Sequence, residues 1–277
     1  MTAAEALRDG ARKLENAGIK GPMRDARWLM AEALGIAHDR LTIALVEPIS
    51  RDIAARFQEA IALRLQRIPV SRILGRRSFY GRDFMVNSAV LDPRPETEGI
   101  VAHLLKSSAP RRVLDLGTGS GALAVTLLCE CSSAVAVATD LSADALRVAE
   151  ANARQHGVLS RMGLLKSDWF SMVEGEFDAI VCNPPYISKN QREALAPEVL
   201  GQDPDLALFA GDDGLSEYRR IASGLGLALA DQGRAIFECG DGQTEAVAEI
   251  FATAGEFETT ILEELGGRPR FVQVHNR

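Results

Sequence analysis

The chain has 277 residues, which is long enough for one large domain or two smaller ones with a sizeable core. Its residues are 47% hydrophobic, 25% charged and 5% aromatic, a composition that excludes collagenous and strongly disordered material. The formal net charge is −7, so tight nonspecific binding to nucleic acid would require segregated positive charge. Residues 1–75 hold 12 Lys+Arg and 9 Asp+Glu, so this part carries about +3 and the remainder about −10.

The sequence pattern shows no targeting, membrane or metal-binding signal. The first 18 residues carry charges throughout a helical pattern and lack the apolar core of a signal peptide. No apolar run approaches the roughly 18 residues that a membrane-spanning helix needs. The four cysteines lack CxxC spacing and the four histidines form no ligand motif. We therefore expect a cytoplasmic protein with reduced thiols, no metal and no membrane partner.

The first 75 residues show helical periodicity in three stretches. Thr2 and Glu5 have the spacing of a capping box, in which each side chain satisfies the other residue's backbone N–H. Asp25 precedes a second stretch of apolar residues at helical spacing, and Ser50 precedes a third. This part of the sequence predicts a small helical bundle.

After a predicted hairpin over residues 76–92, strand and helix patterns alternate. Short apolar runs predict strands at 112–116, 134–139, 163–165, 177–182 and 234–238. Helical patterns occupy 143–155 and 216–230. This alternation predicts an α/β fold with a doubly wound, mostly parallel sheet and helices on both faces. The final strands, at 257–263 and 270–275, have no helix between them and predict an antiparallel hairpin that closes the sheet.

A glycine-rich turn follows the strand predicted at 112–116. Gly117, Gly119 and Gly121 remove the Cβ atoms that would keep a ligand away from the backbone. Tight strand-to-helix turns also favour glycine, so the GxGxG pattern alone is weak evidence. Because Ala122 suits a variant of the dinucleotide fingerprint, spacing alone does not exclude NAD.

Carboxylates follow the next two predicted strands. Asp140 lies 19 residues after Gly121, where it can cap a helix or accept hydrogen bonds from the hydroxyls of an adenosine ribose. Asp168 and Trp169 can bind and cover an adenine ring, or can be a satisfied surface carboxylate and a core residue. The glycine turn together with Asp140 favours a nucleoside site.

The sequence Asn183-Pro184-Pro185-Tyr186 follows the strand predicted at 177–182. Two prolines fix an extended backbone and donate no N–H, so this turn presents hydrogen-bond acceptors. The Asn183 side-chain oxygen and the Pro184 carbonyl can accept both hydrogens of a planar NH2 group, with Tyr186 packed beside it. The turn is therefore typical of a site that orients an amino or amide nitrogen towards an electrophile.

These motifs, in this order, resemble those of class I S-adenosylmethionine-dependent methyltransferases that modify amino or amide groups. NPPY is shared there by enzymes acting on adenine N6, cytosine N4 and glutamine N5. Further segments resemble the HemK/PrmC family, the protein-(glutamine-N5) methyltransferases of peptide chain release factors: PVSRILG (69–75), FYG (79–81), LDPRPETE (91–98), NPPYIS (183–188) and DPDLALFAG (203–211). The resemblance extends over almost the whole chain. Asp92, usually apolar in the family, and Asp203, usually Glu, depart from the pattern.

The resemblance implies a class I methyltransferase fold with a seven-stranded sheet and an N-terminal helical bundle. It implies release-factor docking by residues 1–75, a hairpin linker over 76–92 and a methyltransferase domain over 93–277. The implied reaction transfers a methyl group from S-adenosylmethionine to N5 of the glutamine in the GGQ motif of class-1 release factors, with S-adenosylhomocysteine as the other product. A monomer, with no direct nucleic-acid binding, is expected.

The resemblance also implies the site residues. Those expected at the cofactor are Gly117, Thr118, Gly119, Gly121, Asp140, Asp168, Trp169 and Asn183. Those expected at the substrate glutamine are Asn183, Pro184, Pro185 and Tyr186, of which Asn183, Pro184 and Tyr186 are the expected catalytic residues. Residues 94–98 either help to shape this pocket or form a loop-to-helix cap.

Two other functions fit part of the sequence. NPPY alone suits a DNA adenine-N6 methyltransferase, but the acidic balance and the small bundle disfavour one, because such an enzyme needs a basic recognition region and aromatic residues around a flipped base. A noncatalytic protein that uses the same fold to bind a partner is disfavoured by the intact glycine and NPPY motifs.

Overall fold

The structure is a computed structural model that describes residues 1–106 and 109–277. Contacts between residues define two compact units. The helical unit comprises Met1–Arg76 and Ala196–Gln202, and the sheet unit comprises Arg77–Leu195 and Asp203–Arg277. Residues 196–202 therefore belong to the helical unit although they are far from residues 1–76 in sequence.

The N-terminal part of the helical unit contains these helices: α1 (Ala3–Asn16), α2 (Pro22–Leu34), α3 (Leu41–Ala44), α4 (Arg51–Leu65) and α5 (Val70–Leu74). The predicted capping box is present, because the Thr2 N–H donates to Glu5 Oε2 at 2.8 Å and the Glu5 N–H donates to Thr2 Oγ1 at 3.3 Å. Ser50 caps α4 as predicted, accepting from the Ile53 N–H at 3.2 Å. Helix α2 begins earlier than predicted from Asp25, because a proline at the first helical position has a preset helical φ.

Two buried charges lie inside the helical unit. Arg64 of α4 donates from Nε to Asp25 Oδ2 of α2 at 2.9 Å, and both side chains are almost inaccessible to solvent. Glu198 accepts from Arg64 Nη2 at 3.1 Å and from Arg67 Nη1 at 3.3 Å. These ion pairs join residues 196–202 to α4 and, through Arg64, to α2.

The sheet unit alternates strands and helices. Its hairpin strands β1 (Arg76–Phe79, with Arg76 at the border of the helical unit) and β2 (Arg82–Met85) form a separate two-stranded sheet. The strands that follow are β3 (Arg112–Leu116), β4 (Val135–Asp140), β5 (Met162–Lys166), β6 (Phe177–Cys182), β7 (Leu229–Glu238), β8 (Phe257–Glu263) and β9 (Pro269–Asn276). The helices are α6 (Glu98–Leu105), α7 (Ala122–Glu130), α8 (Ala143–Gln155), α9 (Ser216–Leu225) and α10 (Thr244–Ala254).

The main sheet of the described residues has seven strands in the order β5-β4-β3-β6-β7-β9-β8. The first five are parallel, whereas β9 pairs antiparallel with both β7 and β8. The predicted parallel sheet with a closing antiparallel hairpin is therefore confirmed. The chain winds outwards from β3 to β5 and then returns to continue beside β3 with β6, so the carboxyl ends of β3, β4 and β6 meet at a topological switch point.

Both faces of the sheet are covered by helices, as predicted. Neighbouring strand residues point to opposite faces, so Val113 packs with residues of α6, α7 and α8. Leu114 packs on the other face with Tyr218 of α9 and Phe251 of α10. Each face buries its own apolar core, which makes the sheet a rigid support for the loops at its edge.

One helix is shorter than its sequence pattern predicts. The pattern indicates a helix over 216–230, but α9 ends at Leu225 and Leu229 already begins β7, opposite Phe177 of β6. The Phe177 N–H donates to the Ala228 carbonyl at 2.8 Å. A run of alternating Gly, Leu and Ala fits a buried strand as well as a helix, and pairing with β6 decides between the two.

Three further features of the described residues concern membrane-spanning helices, metal sites and cysteines. No helix among them has both the length and the apolar character needed to cross a bilayer. No cluster of three or more His, Cys, Asp or Glu in 1–106 and 109–277 is arranged to hold a metal ion. The four cysteines are free thiols, and three of them are buried.

Candidate active site

The glycine turn between β3 and α7 has a left-handed backbone at each predicted glycine. The φ angles of Gly117, Gly119 and Gly121 are +68°, +55° and +81°, values that disfavour other residues. A Cβ on Gly119 would have no atom within 4 Å, so this position leaves open space in the cleft. A Cβ on Gly117 would lie 3.4 Å from Trp169 Cζ3.

Gly121, which the sequence predicts at the cofactor, packs against α8 in the structure. A Cβ there would lie 3.1 Å from the Ala149 Cβ and 3.2 Å from the Ala149 Cα, both in α8. Gly121 is not among the residues that line the cleft, whereas Gly117, Thr118 and Gly119 are. The third glycine therefore allows α7 and α8 to approach each other.

Asp140 at the end of β4 is bonded to the glycine turn. Its Oδ2 accepts from the Gly119 N–H at 2.9 Å and its Oδ1 accepts from the Ser142 N–H at 2.8 Å. Burial raises the pKa of Asp140, and these two hydrogen bonds oppose that rise. The helix cap of α8 is Ser142, whose hydroxyl accepts from the Ala145 N–H. Each Asp140 oxygen has further lone pairs, so the carboxylate can still accept from ligand hydroxyls.

Asp115, in β3, is a second carboxylate on the cleft, and sequence reasoning gave it no role. Its Oδ2 accepts from the Thr118 hydroxyl at 2.6 Å and from the Ala124 N–H at 3.1 Å. Its Oδ1 is buried without a hydrogen-bond partner among the described residues. Complete burial raises the pKa of Asp115 to about 6, against the two hydrogen bonds that lower it.

Asp168 and Trp169 are held by α9. Trp169 has a φ of +49°, a backbone strained for a bulky residue, and its Nε1 donates to Glu217 Oε2 at 2.8 Å. Asp168 accepts from Arg220 Nη2 at 2.7 Å in a half-exposed ion pair. Both predicted residues line the cleft, but part of the hydrogen-bonding capacity of Asp168 is already used by Arg220.

The NPPY sequence begins directly after β6 and is held by a buried polar network. Asn183 Nδ2 donates to Thr97 Oγ1 at 3.1 Å, and Thr97 Oγ1 donates to Glu238 Oε2 at 2.5 Å. Arg270 Nη2 lies 3.1 Å from Glu238 Oε1 and also donates to Tyr186 Oη at 3.2 Å. Two members of the motif are therefore connected through one carboxylate.

The members of NPPY differ in their position relative to the cleft. Asn183 and Pro185 line it, whereas Pro184 is buried and Tyr186 is half-buried and neither belongs to the cleft wall. The Tyr186 carbonyl accepts from Gln243 Nε2 at 3.0 Å. The Tyr186 ring lies against Arg270, whose guanidinium carbon is 5.5 Å from the ring centre. The packing of Tyr186 beside a substrate amide stays a prediction.

Sequence reasoning gave no role to Glu238 and Arg270, and it included Thr97 only as part of residues 94–98. Thr97 stands before α6, but its hydroxyl makes no capping bond and serves Asn183 and Glu238 instead. The sequence did contain a pattern that points to Glu238, because this carboxylate ends an apolar strand as Asp140 does. Arg270 carried no signal, since its place beside β7 depends on the pairing of β9. Elsewhere in residues 94–98, Arg94 Nη2 donates to Asp203 Oδ2 at 3.2 Å.

The cleft that contains these residues has a volume of about 270 Å³. Among the described residues its wall includes the carboxylates of Asp92, Asp115, Asp140, Asp168 and Glu217 and the guanidinium groups of Arg94 and Arg220. This excess of negative charge suits a ligand with cationic groups. The cleft lies at the carboxyl ends of the parallel strands, where ligands bind in doubly wound folds.

The fold and the NPPY turn define a methyltransferase, and comparisons with known proteins agree. Residues 94–206 match the family model of the methyltransferase small domain, and residues 5–75 match that of the PrmC N-terminal domain. A solved methyltransferase from Pyrococcus furiosus superposes with a TM-score of 0.55 over 77% of this chain and 97% of that chain. At 17% identity, this likeness shows the fold alone.

Two curated relatives define the family more narrowly. The release factor glutamine methyltransferase of Cereibacter sphaeroides is 48% identical over 99% of this chain and 98% of its own length. The protein of the same name from Agrobacterium fabrum is 40% identical over 94% of this chain and 92% of its own length. The chain belongs to the release factor glutamine methyltransferase family.

Proposed function

We propose that the chain transfers a methyl group from S-adenosylmethionine to N5 of the glutamine in the GGQ motif of class-1 release factors. The observation that carries this proposal is the orientation of Asn183 at the end of β6. Its Nδ2 is engaged by Thr97, so its Oδ1 is left to accept a hydrogen bond in the cleft. The names of the relatives that match nearly the whole chain support the same substrate.

The cleft is chemically suited to S-adenosylmethionine. Its acidic wall matches the sulfonium and ammonium groups of this ligand, and the unpartnered Asp115 Oδ1 is one buried acceptor within the described residues. Gly119 leaves room for close approach to the backbone, Asp140 can accept from ribose hydroxyls and Trp169 can contact the adenine region. When bound, S-adenosylmethionine supplies an electrophilic methyl group on sulfur.

The residues of the chain contribute orientation rather than acid–base chemistry. An amide nitrogen is a poor nucleophile because its lone pair is delocalised into the carbonyl. The Asn183 Oδ1, on the cleft wall, would accept one N–H of the substrate amide and turn its nitrogen towards the methyl group. The Pro184 carbonyl remains the predicted acceptor of the second N–H, although Pro184 is not part of the cleft wall. A strong base is not required beforehand, since the nitrogen becomes acidic only as the new bond forms. Rate enhancement then comes mainly from positioning.

A labelling experiment tests this function. The purified chain is incubated with methyl-labelled S-adenosylmethionine and one of three acceptors: a class-1 release factor, the same factor with the GGQ glutamine changed to alanine, or duplex DNA. We expect label only in the unaltered release factor. Equal labelling of both factors, or labelling of DNA alone, would contradict the proposal.

Asn183→Ala tests the orienting role directly. The variant should bind S-adenosylmethionine nearly as well as the parent in calorimetry, while its turnover should fall about 100-fold because the substrate amide loses one of its two acceptors. Asn190→Ala is a matched control, since Asn190 is exposed in the short 3-10 helix Lys189–Ala194 that follows NPPY and does not line the cleft. Unchanged turnover in Asn183→Ala would contradict an orienting role.

We also propose that the helical unit supplies the docking surface for the release factor. Residues 1–75 carry a net charge of about +3, in contrast to the acidic remainder of the chain. Arg51 and Arg56 are exposed on α4. Reversing both charges should weaken binding to the release factor and leave S-adenosylmethionine affinity unchanged, whereas unchanged factor binding would exclude these two positions of α4 from the docking surface.

A further inference from the structure

The side-chain amide of Asn183 has an orientation that its neighbours determine. A carboxylate is only an acceptor, so the Thr97 hydroxyl must use its single hydrogen in the 2.5 Å bond to Glu238 Oε2. The same hydroxyl can then only accept from Asn183, which requires that the Nδ2 of Asn183 faces it. The Oδ1 of Asn183 is consequently the end that remains available to a substrate.

Reversing one hydrogen bond would reverse this orientation. If Glu238 were neutral and donated to Thr97, the Thr97 hydroxyl could donate to Asn183 Oδ1. The Nδ2 group of Asn183 would then face the cleft, where it would meet another NH2 group instead of accepting from one. The charge on Glu238 thus determines whether Asn183 presents an acceptor or a donor.

Arg270 supports the charged form of Glu238. Glu238 is fully buried, a situation that normally opposes ionisation, and Arg270 Nη2 lies 3.1 Å from its Oε1. The same guanidinium donates to Tyr186 Oη. Glu238 is also fixed through its own carbonyl, which accepts from the Tyr218 hydroxyl at 2.7 Å. The carboxylate therefore holds Asn183 through Thr97, and Tyr186 through Arg270.

We propose that Thr97 and Glu238 are positioning residues of the methyl transfer: the Glu238 carboxylate, through the Thr97 hydroxyl, holds the Asn183 amide with its oxygen towards the substrate. This inference builds on the proposed function and adds the residues that determine the polarity of the acceptor. Neither residue needs to touch the reacting atoms, because each acts through Asn183.

Substitutions at Thr97 separate the hydroxyl from the packing. Thr97→Val keeps the branched shape but removes the hydroxyl, and Thr97→Ser keeps the hydroxyl. Thr126→Val is a matched control, because Thr126 is a fully buried threonine whose hydroxyl has no hydrogen-bond partner in the part of the chain that the structure describes. Glu238→Gln removes the charge with little change of shape.

The kinetic readout is kcat for a class-1 release factor, compared with the dissociation constant of S-adenosylmethionine from calorimetry. In Thr97→Val and Glu238→Gln we expect kcat to fall about 10- to 100-fold, with the dissociation constant within about twofold of the parent. Thr97→Ser should retain most of the parent rate, and Thr126→Val should match the parent. A parent-like kcat in Thr97→Val would overturn the proposal.

The pH dependence of kcat provides a second readout. Burial and the nearby Glu96 carboxylate raise the pKa of Glu238, whereas the Thr97 hydrogen bond and the Arg270 charge lower it. Arg270 also donates to the Tyr186 hydroxyl. The parent should lose activity as pH falls through this raised pKa, since protonated Glu238 no longer fixes the Thr97 hydroxyl. Glu238→Gln should be slow at every pH and should not show this fall in kcat at low pH. If the variant still shows the fall, another group causes it.

A spectroscopic measurement tests the network without relying on turnover. The side-chain amide resonances of Asn183 in 15N-labelled protein are those that disappear in Asn183→Ala. They should shift in Thr97→Val and Glu238→Gln and stay in place in Thr97→Ser and Thr126→Val. Unmoved resonances in Thr97→Val would overturn the positioning role, even if Glu238→Gln failed to fold. A parent protein that does not methylate the release factor would refute the proposed function instead, and the resonances would still decide the role of Thr97.

Discussion

The buried ion pair between Arg64 and Asp25 gives a quantitative prediction for the helical unit. Their side chains are only 6% and 5% exposed, so removing one partner leaves a buried charge, a change that typically costs about 3–5 kcal/mol. Arg24 also lies 3.1 Å from Asp25 Oδ1, but it is 72% exposed and compensates only weakly. Arg64 additionally binds Glu198. We expect Arg64→Leu to lower the free energy of unfolding by about 3 kcal/mol.

The two tryptophans make the measurement specific to one unit. Trp28 lies in α2, stacked on His38 with 3.9 Å between ring centres, and Trp169 lies in the sheet unit. In a Trp169→Phe background, Trp28 fluorescence during urea unfolding reports on the helical unit alone. Arg56→Leu, at an exposed position of the same helix, should stay within about 0.5 kcal/mol of the background protein.

A double substitution distinguishes loss of charge from loss of packing. When Arg64→Leu is combined with Asp25→Leu, no charge of this pair remains uncompensated, so the double variant should be more stable than Arg64→Leu alone. A loss below about 1 kcal/mol in Arg64→Leu, or a double variant less stable than the single one, would refute the reasoning.

Three further predictions concern the sheet unit. Gly121→Ala should destabilise the fold more than Gly119→Ala does, because its new Cβ meets the backbone of Ala149 in addition to the strained φ, which by itself costs about 1–2 kcal/mol. Gly119→Ala should mainly weaken S-adenosylmethionine binding. The reverse order in urea unfolding and calorimetry would contradict these assignments. Asp140→Ala should weaken S-adenosylmethionine binding about 10-fold in calorimetry, because the carboxylate both bonds the Gly119 N–H and faces the cleft, and an unchanged affinity would exclude Asp140 from the cofactor site. Because burial raises the pKa of Asp115 to about 6, its contribution to stability is complete below about pH 4 and is lost as pH rises through about 6. Asp115→Asn should remove this part of the pH dependence of the unfolding free energy, and an identical pH dependence in parent and variant would contradict the raised pKa.

Hydrophobic periodicity predicted where the strands of the main sheet lie, because each strand is a short apolar run between polar turns. It did not predict the order of the strands in the sheet, which depends on their pairing. The same signal failed at 226–230, where a small apolar sequence is compatible with both helix and strand and the pairing with β6 decides the outcome. The start of α2 also differs from the prediction, since the helix begins at Pro22 rather than at Asp25.

The candidate site residues that sequence reasoning singled out end a strand, as Asp140 does, or directly follow one, as Asn183 does. Thr97, Glu238 and Arg270 come from three distant parts of the chain, and only the folded sheet brings them to Asn183. The sequence pattern singled out Gly121, but only the structure shows that it lies against Ala149 of α8.

Mapping the methyl group on the product tests the central claim most directly. A class-1 release factor is incubated with the chain and S-adenosylmethionine, digested and analysed by tandem mass spectrometry. The proposed function predicts one added methyl group on the side-chain amide of the GGQ glutamine, with its yield strongly reduced in Asn183→Ala and retained in Asn190→Ala. A methyl group on any other residue, or an equal yield in Asn183→Ala, would contradict it.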